Sequence, residues 1–141
     1  MARITQAEYQ TLAAFRYSVR KFLHFSEETA RSVGLTPQQH QALLAVKGFP
    51  ESSGRITISR LAERMQIRHH SAVGLVDRLA AQGLMRREPS ESDRRSVYVT
   101  LSPKGLEVLE KLSTIHKEEL RRMLPELQQL TGILAGDVQR A

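Results

Sequence analysis

The feature that most constrains this chain is a change of hydrophobic period about two-thirds of the way along it. Between Arg95 and Leu101 the residues alternate. Val97, Val99 and Leu101 fall on one face, and Ser96, Tyr98 and Thr100 on the other. Just before, Leu84 to Glu88 reads as a short extended run stopped by Pro89, and Ser90 to Asp93 is polar and turn-like. This is the pattern of a β-hairpin. Elsewhere the apolar residues recur at helical spacing, so a single small hairpin is set into an otherwise helical chain.

The helices are bounded by their own cap signals. A long helix is expected from about Thr5 to Val33, with Leu12, Phe15, Val19, Phe22 and Leu23 as its apolar positions and Gly34 as a left-handed cap. Thr36-Pro37-Gln38-Gln39 opens the next helix with a capping box and Pro in the first turn. Leu43, Leu44 and Val46 give that helix its apolar face, and Gly48 closes it. Residues 49–55 form a turn-rich loop. A short helix at about 58–65 carries Leu61, Ala62 and Met65 on one side. After a break at Gln66-Ile67-Arg68, a helix at about 69–82 buries Ala72, Leu75, Val76 and Leu79 and ends at Gly83. Two short helices joined by such a turn make a helix-turn-helix, although the spacing suits any small helical hairpin. With the β-hairpin behind it, the unit reads as a winged helix. Ser102 and Pro103 start a further helix to about 122. Pro125 is expected to kink or break it near Met123, leaving a last helix at about 125–138. The expected fold class is therefore mainly α with a small β-hairpin wing. It divides into an N-terminal helix (1–34), a winged helix-turn-helix (35–102) and C-terminal helices (103–141).

Composition narrows the function classes. Cysteine is absent from the 141 residues, which removes disulfides, thiolate metal sites and thiol chemistry. The apolar runs are too short to span a membrane, and Met1 to Gln6 lacks the apolar stretch of a signal peptide, so a cytoplasmic protein is expected. The net charge is +6, and the segment from Arg55 to Gly105 holds +5 of it. Such a segment is either a solvated basic face or a surface for an anionic partner, with nucleic acid the first choice. The terminal helices are long and leucine-rich. They need burial that the winged helix does not supply, and a twofold homodimer is the simplest solution; a helical cap on a monomer is the alternative.

At the wing the residues become specific. Asp93-Arg94-Arg95 runs through Val97-Tyr98-Val99-Thr100 to Leu101-Ser102-Pro103-Lys104-Gly105. This resembles the wing signature of the MarR family of bacterial transcriptional regulators, in which Leu-Thr usually stands where this chain has Leu101-Ser102. Leu61-Ala62-Glu63-Arg64-Met65, Val76-Asp77-Arg78-Leu79 with Gly83-Leu84, and Leu35 to Gln39 are similar to other parts of that family. The resemblance covers nearly the whole chain. It implies a homodimer joined through its terminal helices, with two winged helices on a palindromic operator. It further implies a repressor, often one released from double-stranded DNA by a small-molecule effector.

The resemblance also assigns roles to residues. The recognition helix would enter the major groove with Arg68, His69, His70, Ser71, Val73 and Gly74 near base edges. Arg68 has the fork geometry for guanine, and Gly74 would let the helix approach closely. Arg78, a turn further on, fits phosphate better than a base. Arg95 would enter the minor groove, Arg94 would meet phosphate, and Asp93 would orient the wing arginines by an ion pair. Arg86 and Arg87 point to opposite faces of their strand, so at most one faces the duplex. The chain departs from the family twice: Gln66 stands where Gly is common, and Arg68 where a Ser-like cap is usual. Either the helix starts later, or its first amides are open to a phosphate.

No effector-binding residue is singled out; Arg16, Arg20, His24, His40 and His116 are polar residues on suitable segments. No cofactor and no metal are expected. Adjacent His69 and His70 point different ways and lack an evident third ligand. No enzymatic constellation stands out. The rival from another class is a winged-helix adaptor that binds protein rather than DNA.

Overall fold

The computed structural model describes residues 3–50, 55–89 and 96–140. Its elements run α1 (Gln6–Ser32), α2 (Pro37–Lys47), β1 (Arg55–Thr57), α3 (Ile58–Met65), α4 (His69–Ala81), β2 (Met85–Pro89), β3 (Val97–Leu101) and α5 (Pro103–Arg140). The described chain forms two compact units. One comprises Ala30–Ser113, and the other comprises Met1–Thr29 with Thr114–Ala141.

The first unit is the winged helix. Its core is aliphatic: Leu43, Ile56, Leu61, Leu75, Leu79 and Leu112 are fully buried. Each such side chain contributes about 1.5–3 kcal/mol by leaving water. The expected caps hold. Thr36 Oγ1 accepts from the Gln39 amide at 3.1 Å while Gln39 Oε1 accepts from the Thr36 amide at 3.0 Å, closing the capping box of α2. Gly34 adopts φ +82° after α1. Leu44, expected on the apolar face of α2, is instead 44% exposed; Ala42, Leu43 and Val46 face the core. At 100° per residue Gln39, Ala42, Leu43 and Val46 fall on one stripe, and Leu44 lies nearly opposite its centre.

The wing has a strand the sequence did not reveal. Arg55–Thr57, expected to be partly loop and partly a lead into α3, pairs antiparallel with β3, making a three-stranded sheet of order β1-β3-β2. Ile56 pairs with Val99, and both are buried. Thr57 ends the strand and caps α3, accepting from the Arg60 amide at 3.2 Å. On the far side Arg86 pairs with Thr100, Arg87 with Val99 and Pro89 with Val97. Pro89 therefore belongs to β2 rather than stopping it, which an edge strand tolerates because its outer amides need no partner.

The start of α5 is fastened to the corner between α4 and β2. Ser102 Oγ donates to the Gly83 carbonyl at 2.6 Å and accepts from the Gly105 amide at 3.0 Å. A Cβ at Gly105 would lie 2.1 Å from the Leu84 carbonyl oxygen, so this approach demands glycine. The Leu-Ser-Pro-Lys-Gly run is thus a docking device as well as a helix start.

In the helical unit the buried residues of α1 are polar: Thr11, Ser18 and Ser26. Ser18 Oγ donates to Glu126 Oε1 at 3.0 Å, and Ser26 Oγ lies 2.8 Å from His116 Nε2. Phe22 and Phe25 meet the His116 ring edge-on. An apolar cleft of about 210 Å³ lies among Phe15, Val19, Phe22, Leu120, Met123 and Leu127. Leu12 and Leu23, two of the apolar positions of α1, are 46% and 51% exposed. The expected break at Pro125 does not occur, and α5 runs through it. Pro125 removes one amide donor, but it and Arg121, whose carbonyl loses that partner, are both exposed, so water can serve instead.

Candidate nucleic-acid interface

The site is built on α4. Its buried stripe, Ala72, Leu75, Val76 and Leu79, fixes which side faces away from the core. His69, His70, Ser71 and Arg78 are exposed, as is Arg68 before the helix. His70, Gly74 and Arg78 are spaced four apart and share one outward row. Val73 differs: it is partly buried and packs against the core, so it helps seat the helix.

The turn leading into α4 carries a local cost. Three helices, α1, α3 and α4, end within the winged-helix unit with the same paired hydrogen bonds. After α4, the Gly83 amide donates to the Ala80 carbonyl and the Leu84 amide to Leu79. After α3, the Gln66 amide donates to Glu63 and the Ile67 amide to Ala62. After α1, Gly34 and Leu35 do the same to Arg31 and Ala30. Such a cap places one residue in the left-handed region. Gly83 fills it at φ +75°, whereas Gln66 fills it at φ +56° with a side chain that region disfavours. The Gln66 amide group partly compensates by donating from Nε2 to the Glu63 carbonyl at 2.8 Å.

The helix starts at His69 with Arg68 as N-cap (φ −70°, ψ 152°), and no side chain caps it. Of the two possibilities the sequence left open, the later start is excluded. The first turn instead presents amides that no side-chain oxygen satisfies. Such amides carry the positive end of the helix dipole, and Arg68 adds a full charge beside them.

The hairpin and α4 are joined by an ion pair between Arg87 on β2 and Asp77 on α4. Sequence reading placed Asp77 only in a motif; an acidic residue within a basic helix was the signal available. Arg86 lies on the opposite face of β2, as the alternation requires, in register with Thr100 and Arg55 across the sheet. Arg55 stacks its guanidinium 4.4 Å above the Tyr98 ring. Asp93, Arg94 and Arg95 lie outside the described residues.

The polar residues weighed for an effector pocket include histidines that are already engaged. His24 meets Glu28 at 3.0 Å, His116 meets Ser26, and His40 is 2% exposed. A cleft of about 630 Å³ on α2 and α3 is lined by Pro37, Gln41, Leu44, Arg64 and Met65 among others.

Comparison with known proteins agrees with this architecture. Residues 33–96 match the model of the MarR family. The transcriptional activatory protein BadR of Rhodopseudomonas palustris is 31% identical over 122 residues, covering 86% of this chain and 63% of BadR. The crystal structure of AbsC, a MarR family transcriptional regulator from Streptomyces coelicolor, superposes with a TM-score of 0.72 at 25% identity over the full length of both chains. A mutant MarR from E. coli complexed with operator DNA has the same fold, with a TM-score of 0.70 at 17% identity, covering 99% of this chain and 98% of that one. No helix among the described residues is long and apolar enough to cross a membrane. The winged helix, the matching stretch at residues 33–96 and the full-length structural likeness to AbsC make the chain similar to MarR family regulators in sequence and fold.

Proposed function

We propose that the protein is a sequence-specific, DNA-binding transcriptional regulator, acting as a homodimer on a palindromic operator and as a ligand-responsive repressor. The observation that carries this reading is the outward face of α4. An exposed run from Arg68 to Ser71 surrounds a helix start with no side-chain cap, and Arg78 follows on the same side. A helix in the major groove needs such donors at its N-terminal end. The operator complex of the E. coli MarR mutant supports the reading by its shared fold.

Arg68, His69, His70 and Ser71 supply base-edge and phosphate donors, and Gly74 sets how closely the helix approaches. Arg95, oriented by Asp93, extends the contact into the minor groove, and Arg94 meets phosphate. Residues 35–102 are the DNA-binding part, and the segments 1–34 and 103–141 dimerise. The dimer is supported by Leu12, Tyr17, Leu23, Leu120 and Leu124, all large apolar residues exposed in the helical unit. Repression follows where the operator overlaps a promoter; BadR carries an activatory name, so operator position sets the sign. An effector works by favouring one dimer geometry by a few kcal/mol.

The test is selection of duplexes from a random DNA library by the purified protein, with affinity followed across salt. Two half-sites about one helical turn apart should be enriched. With about four phosphate contacts per subunit, log affinity against log salt should slope at about −7. Arg95→Ala should cost about 1–3 kcal/mol per half-site, read by titration of the selected duplex. Absence of binding at low salt would replace the regulator with an adaptor.

A further inference from the structure

We propose that Arg78 reads a base in the floor of the groove, and that Gly74 is the notch that seats it there. This rests on the DNA-binding reading and assigns Arg78 a role other than the phosphate contact its position in the sequence suggests. The argument starts from helix geometry. At 100° per residue, Gly74 lies within about 30° of the direction opposite the buried stripe, whereas the Arg78 backbone lies about 70° away from it. Left to itself, a side chain at 78 would reach the edge of the helix, where phosphates run. Side chains on a helix lean toward its N-terminus, however, so Arg78 is aimed back over residue 74. Its Nη2 lies 3.7 Å from where a Cβ of residue 74 would sit. Gly74 is only partly exposed although it occupies the outward row.

Two further observations agree. A Cβ at Gly74 would make only ordinary contact, so nothing inside the chain requires glycine at this mid-helix position, where alanine is favoured. The neighbouring carboxylate, Asp77, is taken by Arg87. Among the described residues Arg78 forms no ion pair with a carboxylate, and its fork of donors is free to meet O6 and N7 of a guanine one turn from His70 and Ser71.

The experiment repeats the library selection with Arg78→Lys, Arg78→Ala and Gly74→Leu, each checked for its melting temperature. Lysine keeps the charge and loses the planar fork. Arg78→Lys should therefore keep the salt slope and lose about tenfold or more of the preference for one base pair in each half-site. Gly74→Leu, which fills the notch, should lose the same preference at the same position. The proposal is overturned if Arg78→Lys binds as wild type with an unchanged preference while Arg78→Ala weakens every duplex equally, for that is a phosphate clamp. It is also overturned if Gly74→Leu leaves the preference intact. A wild-type protein that enriches no sequence overturns the regulator reading too, which separates that failure from failure of the Arg78 assignment alone.

Discussion

The two units of this protein place their apolar residues in opposite ways. Every buried hydrophobic residue among those described lies between Ala30 and Leu112, within the winged-helix unit. In the helical unit the buried residues are Thr11, Ser18 and Ser26, while Tyr9, Leu12, Tyr17, Leu23, Ile115, Leu120, Leu124 and Ile133 are exposed. Helices of similar leucine content thus give a closed core in one unit and open apolar faces in the other. The winged helix closes because three short helices and a sheet approach one another from several sides. Two long helices have only one seam between them, and their remaining apolar surface needs another surface to leave water.

The largest expected effect contrasts the units directly. Leu79→Ala should destabilise the protein by about 2–5 kcal/mol, because it empties a site that is 0% exposed. Leu120→Asp, at a 44% exposed position, should leave the winged-helix unit folded and shift the protein from dimer to monomer in sedimentation. A Leu120→Asp protein that stays dimeric at micromolar concentration would show that the open faces are not the dimer interface.

Next in size is Gly105→Ala. Its Cβ would collide with the Leu84 carbonyl, and parting α5 from the corner at Gly83 should cost about 1–3 kcal/mol in denaturant unfolding. An unchanged midpoint would mean that this junction yields freely. The comparison sharpens at the helix caps. Gln66→Gly should stabilise the winged-helix unit by roughly 1 kcal/mol by relieving a left-handed residue, less the hydrogen bond that Gln66 donates to Glu63. A lowered melting temperature would show that the side chain outweighs the backbone conformation.

The smallest effect lies at the start of α1, in the helical unit. Glu8 accepts from the Thr5 amide at 2.9 Å, and this bond, with help from the Thr5 hydroxyl, holds its carboxyl below the ordinary carboxylate range. The folded form therefore binds its proton less readily than the unfolded one. The contribution is present above the ordinary carboxylate pKa and is lost as pH falls through the lowered value. Fraying of the first turn in acid, seen as faster amide exchange at Glu8, should be missing from the pH profile of Glu8→Gln.

Much of the fold was legible in the sequence where signals are local. The limits of α3, the capping box at Thr36 and Gln39, Ser102 as the cap of α5 and the facing of Val97, Val99 and Leu101 all follow from residues within one or two turns of one another. The interface was partly legible by the same route. The missing cap at Arg68 is visible as a basic residue where an oxygen-bearing one belongs, and the strain at Gln66 as a side chain where glycine belongs.

What the tertiary structure alone decided depends on residues far apart in the chain. Arg55–Thr57 is a strand only because Ile56 finds Val99; three residues carry too little alternation to announce themselves. Leu44 turns outward because the core is already filled by Ala42, Leu43 and Val46. Asp77 becomes a tether because β2 delivers Arg87 to it, and α5 passes Pro125 because that residue lies on an exposed face. The sequence by itself determined which elements form, their order and their caps, since backbone hydrogen bonding and hydrophobic period act over a few residues. Which faces close, and which side chains join β2 to α4, were settled only when elements distant in sequence came to compete for the same space.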